Sequence, residues 1–304
     1  MLAVRGRAGT LAAVLAAALL AGCAAAGGPS NGGRIRVVAA ESFWGSLASQ
    51  LGGDRARVTS IVSNPATDPH DYEPTPADGR ALAGARMVIV NGVGYDGWAS
   101  KLLAANPSSG RVVVSVGDLV GVRSGGNPHR WYSPPDVERV IAAITAGYRR
   151  LDPRHGAYFD ARRRALDAAG LGAYHRLIAQ IRRRYAGTPV GASESIFAPM
   201  AEALGLRLIT PGGFLAAISE GTDPTAADKA TTDRQIATHA IRVWIYNRQN
   251  ATPDVQRLNS AARRAAVPVT TMTETPVPAS ATFQAWQAAQ LEALERALAR
   301  ATGR

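Results

Sequence analysis

The chain has 304 residues, of which 46% are hydrophobic and 19% charged, and it carries a formal charge of +11. That length suffices for one large or two medium domains, each with a real core. The positive charge is almost wholly arginine, because Lys101 and Lys229 are the only lysines. The arginines are scattered, with clusters at 162–164 and 182–184 in helix-like stretches, and no basic run is interleaved with aromatics. This distribution argues against a nucleic-acid partner.

Residues 1–22 read as a targeting segment. Arg5 and Arg7 precede the short apolar run TLAAVLAAALLAG, which is too short for a comfortable membrane span. The stretch LAGC, Leu20 to Cys23, resembles the lipobox of bacterial lipoproteins, in which a peptidase cuts before a diacylated cysteine. Cys23 is the only cysteine, so its use as a lipid anchor leaves no thiol for a disulfide or a thiolate metal site. Residues 23–33 are small and Gly-rich and read as a flexible tether. The body is therefore expected on the extracytoplasmic face of the cell membrane, held by membrane lipid through Cys23.

Strand and helix signals alternate through 34–150. Arg34–Ala40, Arg57–Ser63, Met87–Asn91 and Arg111–Gly117 are short runs rich in Val and Ile, suited to strands buried on both faces. Helix-period segments lie between them, which argues for a mainly parallel sheet flanked by helices. Residues 151–186 read as one long linker helix, with Asp152 as its cap, Pro153 at its first position and a kink allowed at Gly170 and Gly172. At full length it would span roughly 45–50 Å. Residues 187–304 resume the alternation, with strands at Pro189–Ser193, Arg207–Thr210, Arg242–Asn247 and Val267–Met272, then a helix over Ala279–Ala301. The predicted fold is α/β: two lobes, each with a mainly parallel sheet, bridged by one long helix.

Ligands of such sheets bind at the carboxyl ends of strands. Only five histidines are present. His70 lies past the second strand in ATDPHDYEPTP, and His129 lies past the fourth in NPHRWYSP, each directly behind a proline. Glu194 ends the first strand of the second lobe, and Glu274 ends its last. Two neutral imidazoles and two carboxylates would neutralise a divalent cation, and this mixed donor set suits zinc, manganese or iron. Taken singly, a loop histidine is more often solvated, and either glutamate could be a helix-start acid. His155, His175 and His239 read as structural or surface residues. Asp68, Asp71 and Glu73 flank His70 as orienting or solvated acids, and Glu220 is the alternative to Glu274.

These segments match a known family. GGDRARVTSIVSNPATDPHDYEPTPAD and the following ADGRALAGARMVIVNGVGYDGWASKLL resemble the solute-binding lipoproteins of bacterial zinc and manganese ABC transporters. NPHRWYSPPDV is similar to the second histidine segment of that family, and SEGTDPTAAD resembles the segment after its third ligand. The resemblance covers Ile35 to the C-terminus. It implies two lobes bridged by one helix, with the metal held between them by His70, His129, Glu194 and Glu274. The chain departs from the pattern at Glu274, where the family usually has Asp, and at Asn127, where Asp is also usual.

The function implied is capture of a divalent ion (Mn2+ or Zn2+, with Fe2+ also suited) and its delivery to the membrane permease of an ABC importer, by a monomer that is not an enzyme. The segment before His129 lacks the His-rich loop common in zinc-selective members, which leans toward manganese. Two other readings remain: a metal-dependent hydrolase with an open coordination position, and a two-lobed binder of a metal chelate or an adhesin.

Overall fold

The computed structural model describes residues 1–2, 33–66 and 72–304. Cys23, the rest of the targeting and tether segments, and His70 with Asp68 and Asp71 lie outside them. Arg34–Arg304 form one compact unit.

The first lobe holds four parallel strands in the order β2-β1-β3-β4: β1 Ile35–Glu41, β2 Ala56–Val62, β3 Met87–Val90 and β4 Val112–Ser115. The central strand β3 (MVIV) is buried throughout. Helix α1 (Ser42–Gly52) leaves β1 without a loop and buries Phe43, Trp44, Leu47, Ala48 and Leu51. Gly45 lets it sit close on β2, because a Cβ there would stand 2.0 Å from Ser60 Oγ. Helix α2 (Pro76–Gly84) starts at a capping box made by Thr75 and Asp78. Three more helices follow: α3 Gly97–Ala105, α4 Val116–Val120 and α5 Pro134–Leu151. The fourth strand thus ends two residues earlier than its Val-rich run suggests, and Val116 and Gly117 open a helix.

The linker region is helical but not one helix. A 3-10 turn at Pro153–His155 leads into α6 (Gly156–Ala165). A wide π-type turn at Leu166–Gly170 follows, closed by Leu171 N–H on the Leu166 carbonyl at 2.8 Å, and then α7 (Gly172–Tyr185). Asp152 makes no cap bond. Its carboxylate instead faces His155 Nδ1 at 2.7 Å.

The second lobe repeats the first. Its strands β5 Pro189–Ala192, β6 Arg207–Leu208, β7 Val243–Asn247 and β8 Val269–Met272 are parallel in the order β6-β5-β7-β8. Its helices are α8 Ala198–Leu204, α9 Gly212–Ser219, α10 Ala226–Ala237, α11 Pro253–Arg264 and α12 Phe283–Thr302.

The two sheets share a core. Inner-face residues Val37, Ala39, Met87 and Ile89 of one sheet and Val190, Ala192, Val243 and Ile245 of the other belong to a single buried cluster with α1, α5, α7 and α12. Each outer face has its own smaller cluster. Phe43 stacks on Trp131 at 4.1 Å and lies 6.5 Å from Trp286 of α12, so aromatic packing runs directly from lobe to lobe. No helix of the described residues is long and apolar enough to cross a membrane.

Candidate metal centre

His129 is fully buried and sits where the chain turns from the loop after α4 into a 3-10 turn at Arg130–Tyr132. The preceding loop is fixed from below. Asn91, one residue past β3, donates from Nδ2 to the Pro128 carbonyl at 2.9 Å and accepts from Trp44 Nε1 at 3.2 Å. Asp96 in turn accepts from the Asn91 and Gly92 amides at 2.6 and 2.7 Å. Trp131 packs edge-on against the imidazole at 5.2 Å, and Arg130 is held by Asp136 at the start of α5.

Asn127 sets the imidazole tautomer. Its Nδ2 donates to the Ser195 carbonyl at 2.7 Å, and its Oδ1 accepts from the His129 amide at 3.0 Å. These two bonds fix which end of the amide is oxygen. That oxygen stands 2.8 Å from His129 Nδ1, so Nδ1 carries the proton and Nε2 is the basic nitrogen. Ser195 Oγ is 3.3 Å from the same Nδ1.

The second lobe supplies the carboxylates. Glu194 is fully buried, two residues beyond β5. Its Oε2 accepts from Asn250 Nδ2 at 3.0 Å, and Asn250 also donates to the Ile218 carbonyl. Glu274 is 1% exposed, two residues beyond β8. Asn247, at the end of β7, donates to its Oε1 at 2.9 Å, and Tyr95 of the first lobe donates to its Oε2 at 2.6 Å. Gln249 Oε1 accepts from the Glu274 and Thr275 amides at 2.6 and 3.0 Å, while its Nε2 donates to the Pro65 carbonyl and Thr275 Oγ1.

Two cross-lobe bonds, Tyr95 to Glu274 and Asn127 to Ser195, tie His129 and Glu274 into one network, while Glu194 is held within the second lobe by Asn250. Tyr95 is the hinge of that network, since it bonds Glu274 and its ring lies 6.2 Å from the imidazole. Among the described residues no group of three or more His, Cys, Asp or Glu is spaced to hold a metal ion, and His70 lies outside those residues. The segments flanking it are fastened: Pro65 to Gln249, and Tyr72 through its hydroxyl to Asp78 Oδ2 at 2.9 Å. Burial and the adjoining Asp78 carboxylate push the Tyr72 hydroxyl up to about 12.

Other acids and histidines fall elsewhere. Glu220 is exposed and lines a cavity of about 310 Å3 with Val93, Tyr95, Asn127 and Ser195. Glu73 is exposed. His155 pairs with Asp152, His175 with Glu138 at 3.3 Å, and His239 is exposed with φ +57. Glu41, buried at the end of β1, stands beside Asp96. Burial first, then the neighbouring Asp96 charge, raises the Glu41 carboxyl well above its ordinary range. Burial raises the Asp96 carboxyl as well, and the Gly92 and Asn91 amides that donate to it oppose that shift.

Sequence reasoning missed Tyr95, Asn247, Asn250 and Gln249. One signal was available: Asn91 and Asn247 close the matching third strands of the two repeats, where an apolar run breaks on an amide.

A two-lobed α/β body with buried His and carboxylate side chains where the lobes meet fits the class of metal-ion-binding proteins. The model of the family described as "ZnuA: Zinc-uptake complex component A periplasmic" matches residues 37–297, and the chain belongs to that family. It is 31% identical over 142 residues to the manganese-binding lipoprotein MntA of Halalkalibacterium halodurans, covering 45% of this chain and 47% of that one. It is 32% identical over 168 residues to the metal ABC transporter substrate-binding lipoprotein FimA of Streptococcus parasanguinis, covering 49% and 54%. A third relative, the iron-binding protein YfeA of Yersinia pestis, is 29% identical over 133 residues, with 42% of each chain covered. The matches thus span about half the length of these curated relatives. Among solved structures, a manganese-bound periplasmic metal-binding protein from Candidatus Liberibacter asiaticus superposes with a TM-score of 0.72 at 18% identity, covering 87% of this chain and 99% of that one. A crystal structure of ZnuA gives 0.69 at 20% identity, covering 88% and 99%. At these identities the structural likeness establishes the shared fold.

Proposed function

We propose that this chain is the extracytoplasmic solute-binding component of an ABC importer for a divalent transition metal. It captures Mn2+, Zn2+ or Fe2+ between its lobes and hands the ion to a membrane permease. It works as a monomer anchored by lipid at Cys23, with 23–33 as the tether, and performs no catalysis. The observation that carries this reading is that His129, Glu194 and Glu274 are all buried where the lobes meet, with Glu274 bonded to Tyr95 of the other lobe and Asn127, which orients His129, bonded to Ser195 of the other lobe. We assign His129 Nε2 and the two carboxylates as ligands, with His70 as the fourth. Four protein ligands would enclose the ion, as cargo requires, and leave no open position for substrate chemistry. The names of the relatives, which include manganese-, iron- and metal-binding proteins, support the cargo class.

Manganese is the preferred assignment on donor hardness, since two carboxylates shift the set away from the softer ions. Zinc binds such donors more tightly by intrinsic affinity, so zinc found in a purified sample does not identify the physiological cargo. The two-lobe core restrains wide opening, so release proceeds by small lobe shifts and loop rearrangement.

The cavity of about 310 Å3 beside Asn127 and Ser195 supports a second reading, in which the cargo is a small metal chelate. Titration of the metal-stripped chain with bare ion and with preformed chelate separates the two. The first reading expects saturation by bare ion at one per chain. Binding only of the chelate would replace it with the second.

A further inference from the structure

An arginine stands at one register near the start of every strand of the first sheet: second in β1 and β2, and just before β3 and β4. Arg36 pairs with Arg57 across β1 and β2. The Arg86 amide donates to the Arg36 carbonyl, and the Val112 amide to the Arg86 carbonyl, which places Arg86 and Arg111 in the same row. Like charges on adjacent strands disfavour a sheet. Two of the four are explained locally. Arg36 donates to the Gly84 carbonyl at the end of α2, and Arg111 to the carbonyls of Ala83, Ala85 and Asn106. Arg57 and Arg86 are exposed and make no ion pair or side-chain hydrogen bond among the described residues. Helix α5 ends at this edge too, since Gly147 lies against Met87 and Val112, and it delivers the exposed Arg149 and Arg150. The nearby acids are Asp54, Asp152 (3.8 Å from Arg55) and Asp160 (3.5 Å from Arg149). In the second sheet the equivalent row is Arg207, Pro189, Arg242 and Val267, with only two arginines.

We propose that this arginine edge of the first lobe is a docking face for anionic lipid headgroups of the membrane that carries the chain. The occupant follows from where the chain enters. Arg34 opens the compact unit two residues before Arg36, on the same edge, and the tether from Cys23 to Gly33 reaches roughly 40 Å at full extension. The row therefore lies within reach of the surface to which the tether runs. The metal centre lies at the opposite ends of the strands, so docking leaves it facing away from the membrane, open to arriving ions. Contact is salt-sensitive, and each arginine at an anionic surface favours docking by about fivefold. The chain can thus leave this pose to meet the permease. This inference rests on the lipid-anchored reading.

The test uses the full lipidated chain on vesicles of phosphatidylcholine, with and without phosphatidylglycerol. Acylated Cys23 leaves an introduced cysteine as the only thiol, so Ser109→Cys beside the row and Thr238→Cys on the second lobe each take one fluorescent probe. On anionic vesicles, energy transfer to a membrane dye is expected to be higher from position 109 than from 238. The difference should vanish on neutral vesicles, in high salt, and in the double variant Arg57→Glu with Arg86→Glu, while flotation with neutral vesicles persists. Equal transfer from position 109 on both vesicle types, or no effect of the double variant, would overturn the proposal. Binding of soluble polyphosphate without any dependence on lipid charge would overturn it as well. Failure to float with neutral vesicles would remove the anchor instead. The docking face then stands if flotation with anionic vesicles is lost in the double variant, and falls if it is not.

Discussion

The Tyr95 hydroxyl donates to Glu274 Oε2 at 2.6 Å, and this bond joins the loop after β3 in one lobe to the end of β8 in the other. Both residues are buried, so the bond forms in a low-dielectric setting where a hydrogen bond is worth more than at the surface.

Tyr95→Phe removes that donor and leaves the ring. Metal affinity is expected to fall about 10- to 100-fold, the usual cost of losing a group that orients a ligand. Isothermal titration with Mn2+ against the parent chain checks this. Unchanged affinity would mean that Tyr95 only packs.

Asn127→Asp brings the chain to the residue usual in the resembling family, and here it should be harmful. An aspartate cannot donate to the Ser195 carbonyl, so a 2.7 Å cross-lobe bond becomes a contact between two acceptors. A loss of about 1–3 kcal/mol in stability is expected, read as a shifted midpoint in urea. A more stable variant would show that the Asn127–Ser195 bond does not hold the lobes.

Glu41 gives the pH dependence its sign. Its carboxyl titrates well above the ordinary range in the folded chain, because burial and Asp96 penalise the charged form. Between its unfolded and folded pKa the folded state holds the extra proton. Stability therefore falls as pH rises through that window. Glu41→Gln removes the titration, so its thermal melting point should exceed that of the parent by a margin that grows toward alkaline pH. Parallel melting curves across the range would contradict this.

Phe43→Ala opens a hole where the aromatic packing of the two lobes meets. A cost of about 3–5 kcal/mol is expected, with one cooperative transition in both chains, since a single buried cluster spans both sheets. Two resolved transitions in the parent would show that the lobes fold independently.

The strands were legible because a sheet buried on both faces needs continuous apolar runs such as MVIV, and such runs show in sequence. The strand-end positions of Glu194 and Glu274 followed from the same alternation, whereas His129 lies beyond α4, at the start of the 3-10 turn Arg130–Tyr132. The break at Leu166–Gly170 was legible only as a weakness at Gly170. Its form, a π-type turn closed between Leu166 and Leu171, depends on how α6 and α7 pack on α1 and α12. Local rules favour Asp152 as a cap, but His155, three residues on, takes its carboxylate. The residues that hold the carboxylates were hidden for another reason. Tyr95 meets Glu274 across 179 positions, and no local pattern encodes a partner that far away. The shared core was hidden in the same way, since the stacking of Phe43 on Trp131 and its approach to Trp286 join segments far apart in the chain.

The most direct test of the central claim is equilibrium competition for Mn2+ and Zn2+ on the metal-stripped chain and on His70→Ala, His129→Ala, Glu194→Ala and Glu274→Ala. The account predicts one ion per parent chain and a loss of affinity for both ions in every variant, with circular dichroism unchanged. Parent-like binding of both ions in all four variants would contradict it.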